Sequence, residues 1–204
     1  MKSKIKTSYY KHELGRIFQG DILRDFEYPG WNLPRDSEDT KGELIELKIP
    51  YIVILTQDCD LESDSRNHDD FLGNDCTSNE PQEENKISHD KFLHSILVCP
   101  AYPAKQLKKG SHLNGLGLRM QKINSNTQWN NIKNNQNPRY HFLKKDIELQ
   151  IPELIIDFKH YYTIPRDILY VEIEKHYLGS ISELFREFLS QRFAFYLSRI
   201  GLPF

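Results

Sequence analysis

The sequence predicts an α+β fold, mainly β, with an amphipathic helix near its C-terminus. Tyr51-Ile-Val-Ile-Leu-Thr56 is an unbroken apolar run of mostly β-branched or aromatic residues, as a strand buried on both faces requires. Ile96-Leu-Val-Cys99 repeats the pattern and predicts a second such strand. The period then changes: Leu184, Phe185, Phe188, Leu189, Phe193, Tyr196, Leu197 and Ile200 recur at helical spacing. A chain of 204 residues with 38% hydrophobic content supports one core, so a single domain over 1–204 is expected.

Taken in order, Ile17-Phe18 and Ile22-Leu23 flank a Gly20-Asp21 break, which predicts a short strand, a tight turn or bulge, and a second strand. Residues 28–39 are rich in Pro, Gly and charge and read as a loop. Residues 43–49 lead into the buried strand. Pro100 and the Ala-Tyr-Pro turn should end the second one. Between 105 and 140 the apolar residues are isolated, and eight Asn lie between 114 and 137. That composition suits turns, so an irregular excursion with one short helix near 126–132 is expected. Residues 154–164 return to strand character. Tyr170-Val-Glu-Ile-Glu174 alternates, as a strand with one wet face does. Ser180-Ile-Ser-Glu183 matches a capping box opening a helix over 180–200, with Arg199 in the last turn and Gly201 and Pro203 as the stop.

A net charge of −2 conceals strong segregation. Residues 57–91 hold eleven Asp/Glu against three Lys/Arg, and read as an acidic loop insertion. Residues 104–145 hold nine Lys/Arg and no acid, and read as a basic, Asn-rich insertion. No apolar run approaches the roughly 18–20 residues of a membrane span. A basic N-terminus runs into Thr7-Ser-Tyr-Tyr-Lys-His-Glu13 where a signal peptide needs an apolar core, so a cytoplasmic location is expected. Three cysteines suit a reducing compartment and exclude a dense disulfide framework.

Three groups of residues are candidates for chemistry. At the end of the first buried strand, Thr56, Asp58, Cys59 and Asp60 bring a hydroxyl, two carboxylates and a thiol to one place. The carboxylates would raise the thiol pKa and blunt it as a nucleophile, so they fit better as anchors for a loop or for Arg16 or Arg24. A magnesium ion would lack a third ligand there. Cys59, His68, Cys76 and His89 could converge on zinc, but their spacings match no familiar pattern, and neither metal nor cofactor is expected.

In the basic insertion, Lys108, Lys109, Arg119, Lys122, Lys133 and Arg139 could neutralise phosphates while Trp129 and Tyr140 offer stacking faces. Binders of single strands combine these two features. Asn130, Asn131, Asn134 and Asn135 could read base edges. The competing reading is a solvated loop whose aromatics dock on the fold. His141 and His160, each beside aromatics and a charge, could supply the base and acid of RNA cleavage, with Arg139 as the cation.

The order of these parts resembles the PemK/MazF-like family. Gly20-Asp21-Ile22, Ile52-Val-Ile-Leu-Thr56, Ser95-Ile-Leu-Val-Cys-Pro100 and the helix 181–200 carry the resemblance, over about half of the chain. It implies an SH3-like β-barrel with a C-terminal helix, here interrupted by long insertions. It also implies a toxin–antitoxin or phage-defence setting, a possible homodimer, and binding and cleavage of single-stranded RNA. Two departures oppose cleavage. Where the family has an Arg before the buried strand, this chain has Lys48-Ile-Pro-Tyr51. Where it has a Ser or Thr after the next strand, this chain has Cys99-Pro-Ala-Tyr-Pro103. The alternative is an inactive member of the same fold acting on a protein partner, an antitoxin or a regulator, through its acidic segment.

Overall fold

The two apolar runs become the centre of one antiparallel sheet. The computed structural model describes residues 9–32, 43–74 and 89–199. Within these, eight strands and five α-helices form a mixed α+β fold. The strands are β1 (Tyr9–Tyr10), β2 (Asp21–Asn32), β3 (Glu43–Ile54), β4 (Ser95–Pro103), β5 (Tyr140–Leu143), β6 (Leu154–Asp157), β7 (Tyr162–Pro165) and β8 (Tyr177–Ile181). The helices are α1 (Asp58–Asn74), α2 (Ala104–Lys109), α3 (Asn126–Lys133), α4 (Arg166–His176) and α5 (Glu183–Leu197). The strand order is β1-β8-β2-β3-β4-β6-β5, with β7 also on β4. Among the described residues β1 and β5 do not pair with each other, so the sheet is open and not the closed barrel that the resemblance implies. No helix of the described residues is long and apolar enough to cross a membrane.

Helices cover both faces of the sheet, which explains why the last residues of β3, Tyr51 to Ile54, are apolar without alternation. Val53, Leu55, Cys99 and Ile22 join the core under α5, which contributes Leu189 and Phe193. Ile52, Ile54, Leu23, Ile96 and Val98 join the opposite core under α1 and α4, with Leu61, Leu169 and Ile173. Gly20 enters β2 at a φ of 89°, a left-handed value that glycine adopts without strain. Asp21 then starts the strand as a fully buried carboxylate. It accepts hydrogen bonds from the Phe18 amide (2.8 Å), the Ser180 hydroxyl (2.5 Å) and His12 Nε2 (2.9 Å).

Several expectations are corrected. Ile17-Phe18 precedes the sheet without being a strand, and β2 continues to Asn32 through the start of the expected loop. Residues 33–39 of that loop lie outside the described residues. Strand β4 runs through Pro100, because its second edge is paired by β7 at 95–98 and by β6 at 101–103, leaving Pro100 opposite a gap. The acidic stretch opens as helix α1, not as a loop; residues 75–88 lie outside the described residues. Asp58 and Asp60 in its first turn suit the helix dipole. Buried Asp64 ties it down, accepting from Leu93 N (2.7 Å) and Arg166 Nε (2.6 Å).

Residues 170–174 form part of α4 and not a strand: Leu169 and Ile173 are buried one turn apart, and the chain enters through Pro165. The capping box does not form. Ser180 lies in β8 bonded to Asp21, and α5 starts at Glu183 behind Ser182, whose side chain makes no cap. Pairing of Asp21 with Ser180 and Ile22 with Gly179 holds that segment in the sheet.

Candidate functional site

The basic insertion is ordered around a small core of its own, in which Tyr102, Leu107, Leu113, Ile123, Ile132, Phe142 and Ile155 are buried. It carries two helices, α2 and α3, and the strand β5, more regular structure than the single helix expected. Gly110 ends α2 in the left-handed region at φ 74°. Residues 120–123 then fold back onto it, with Met120 N bonded to the Gly110 carbonyl (3.3 Å) and Ile123 N to that of Lys108 (3.0 Å). Ser125 caps α3 by accepting from Gln128 N (3.3 Å).

Between this returning segment, α3 and β5 lies a cleft of about 360 Å³, with Lys122, Ser125, Gln128, Arg139 and Tyr140 in its lining. His112 forms part of its wall, 9% exposed, and both ring nitrogens are buried without a hydrogen-bond partner. The imidazole packs edge-on to Tyr102, with ring centroids 4.8 Å apart. Burial lowers its pKa below the ordinary histidine value, against the opposing charge of Asp157.

Asp157 organises the neighbourhood. It is fully buried and accepts two hydrogen bonds from Arg139, from Nε (2.7 Å) and Nη2 (2.6 Å). Lys159 N also donates to it (3.1 Å), and His160 Nδ1 lies 3.3 Å from the same carboxylate. Burial lowers the His160 pKa, with Asp157 again opposing. The bidentate contact raises the Arg139 pKa against its desolvation. Much of the Arg139 charge is thus directed inward, while its guanidinium lies 4.9 Å over the Tyr140 ring.

The other expected contacts are spread over the insertion. Lys108 places its ammonium 5.2 Å over Trp129, which is half-buried against the small core. Lys109, Arg119 and Lys122 are exposed. Lys133 lies 5.3 Å over Phe142 and 3.7 Å from Glu153. Asn130, Asn131 and Asn134 are exposed, whereas Asn135 serves the fold. At φ 57° its side chain accepts from Phe142 N (2.6 Å) and covers the free edge of β5.

His141 is separated from His160. It is 4% exposed on the α5 side, and burial pushes its pKa down to about 3. His141 and His160 line different clefts, so the structure does not bring them into one site.

The Thr56–Asp60 group acts as an anchor. Thr56 Oγ1 accepts from Leu97 N (2.7 Å), extending the ladder beyond β3. Asp58 accepts from Gln19 N (3.2 Å) and lies between Arg16 (3.3 Å) and Arg186 (3.4 Å), joining α1, α5 and the approach to β2. Arg16 is therefore one partner, whereas Arg24 pairs with Asp25. Cys59 and Asp60 are exposed on the first turn of α1. No group of His, Cys, Asp or Glu among the described residues could hold a metal ion; Cys76 lies outside them.

Sequence reasoning missed His112 and the organising role of Asp157. A histidine between Ser111 and Leu113 carries no local signal, because its surroundings come from Tyr102 of β4 and Asp157 of β6. Comparison of the chain with protein-family models, with curated proteins and with solved structures finds no match in any of the three.

Proposed function

We propose that the protein binds single-stranded RNA in the cleft of the basic insertion. The observation that carries this reading is a cleft walled by an acid-free stretch of chain, with Lys122 and Arg139 beside the aromatic ring of Tyr140. Cationic groups that follow a backbone, placed next to rings that stack on bases, are what unspecific single-strand recognition needs. The unsatisfied imidazole of His112 adds a buried polar group that a ligand can satisfy. Binding is better supported than cleavage, since His141 and His160 line different clefts. A divergent PemK/MazF-like origin, with its SH3-like barrel opened by insertions, belongs to the same proposal and rests on the order of Gly20-Asp21-Ile22, β3, β4 and α5. So does the toxin–antitoxin or phage-defence setting.

The test is binding of a labelled RNA of about ten nucleotides, a length within the usual site size of a single-strand groove. Wild type should bind at low salt. Lys122→Ala should weaken binding and lower the slope of log affinity against log salt by about 0.7. Tyr140→Ala, which removes the ring in the cleft, should cost about 1–3 kcal/mol of binding. Absence of any binding at low salt contradicts the reading.

A second reading has its own observation. Helix α5 exposes Leu184 (69%), Phe188 (44%) and Phe195 (63%) on one face, an apolar surface suited to a protein partner or to a second copy in a homodimer. An inactive interaction module would keep that surface and show no RNA affinity.

A further inference from the structure

A second cleft lies at the free edge of β5, between that strand, the end of α3 and the start of α5. Its volume is about 440 Å³, within the range of small-molecule sites. Phe142, Phe185 and Phe188 give it aromatic walls, so a planar body is favoured over a flexible one. His141 forms its floor. The imidazole ring centroid is 5.6 Å from that of Phe188, and Nδ1 is buried without a hydrogen-bond partner. Held neutral, this ring presents one donor and one acceptor nitrogen, suited to the polar edge of a heterocycle. Lys133 and Lys144 line the cleft together with Asn134, Asn135 and Leu184, and no acid lines it among the described residues.

The cleft is also built in advance. Arg192 of α5 donates to the carbonyls of Asn135, Asn137 (2.7 Å) and Tyr140 (2.8 Å), clamping the helix to the turn before β5. Asn135 fixes the strand edge itself. A rigid apolar slot with a neutral polar floor and a cationic rim fits one ligand chemistry better than others: an aromatic heterocycle carrying a phosphate.

We propose that this cleft binds a nucleotide, with the base between the phenyl rings against His141 and the phosphate at Lys133 and Lys144. The nucleotide is either free or one residue of a bound RNA strand, and only the latter source rests on the RNA reading above.

The test titrates the full chain with UMP, CMP, AMP and GMP, and with the matching nucleosides, following the His141 ring signals by NMR. At least one monophosphate should bind more tightly than about 1 mM and shift His141. Its nucleoside should bind about tenfold more weakly, and Lys144→Ala should remove that difference. Phe188→Ala, at a residue already 44% exposed, should weaken both without unfolding the protein. A decamer RNA added to the bound complex separates the two sources. Displacement of the monophosphate assigns the cleft to the strand, and persistence assigns it to a free nucleotide. The proposal is overturned if no monophosphate binds at about 1 mM, if benzoate or laurate binds more tightly than all four, or if Lys144→Ala and Phe188→Ala both leave binding unchanged. Decamer binding that depends on Lys122 without any monophosphate binding overturns this proposal and leaves the RNA reading standing. The opposite pattern removes the RNA reading and keeps the nucleotide site.

Discussion

Asp21 and Asp157 are both fully buried carboxylates, and they are held by different kinds of partner. Asp157 has a guanidinium that is charged at every accessible pH. Arg139→Ala would leave that carboxylate buried without its ion, at a cost of about 3 kcal/mol in urea denaturation. A loss below about 1 kcal/mol would mean that the pair is only a surface contact. Asp21 instead has His12, which titrates. Burial works against the imidazolium, but the hydrogen bond to Asp21, the Glu13 carbonyl and the Asp21 charge together raise the His12 pKa. Its stabilising contribution is fully present below the unfolded value of about 6.5 and is lost as pH rises through the higher folded value. His141 has the reverse sign. With its folded pKa near 3, the unfolded chain takes up the proton first, and stability falls as pH drops below about 6.5. Melting temperatures across pH should therefore decline on both sides of neutrality. His12→Gln should flatten the alkaline limb, and His141→Phe the acidic one. Unchanged limbs in these variants would contradict the assignment.

At the scale of elements, legibility in the sequence depends on how much of each element's burial is apolar. Strands β3 and β4 bury long apolar stretches, and helix α5 carries an apolar stripe at helical spacing although only Leu189 and Phe193 of it are buried, so their residues announce them. Helix α1 buries Leu61 together with Asp64 and Ser65, and its stability comes from Arg166 and the Leu93 amide, far away in sequence. Its composition alone reads as a solvated loop. In α4 the alternation of Tyr170-Val-Glu-Ile-Glu174 competes with the four-residue spacing of Leu169 and Ile173, and packing on the sheet decides for the helix. The candidate cleft follows the same logic: Lys122 and Tyr140 are visible as residue types, whereas His112 gains meaning only when Tyr102 and Asp157 are brought beside it. Gly110 tests how the cleft is held. A Cβ there would lie 2.2 Å from the Met120 carbonyl oxygen, at a φ that side chains rarely adopt. Gly110→Ala should destabilise the protein by about 2 kcal/mol or more, with faster amide exchange over 110–123 and weaker RNA binding. Normal exchange in that segment would show that the arch adapts without cost.

At the scale of the whole molecule, the sheet separates two cores, and the chain's two charge lobes fall on different structures. The acidic stretch supplies α1, on the face shared with α4. The basic stretch supplies a separate unit at the β5 edge, with its own core. This division suits a protein whose sheet is scaffold and whose edge unit meets a polyanion, which the acidic face would repel. Photo-crosslinking of bound single-stranded RNA, followed by mapping of the modified peptides, tests that claim most directly. Crosslinks should fall within 105–145, at Tyr140 above all, and disappear as salt rises. Crosslinks on α1, or none at low salt, would contradict it.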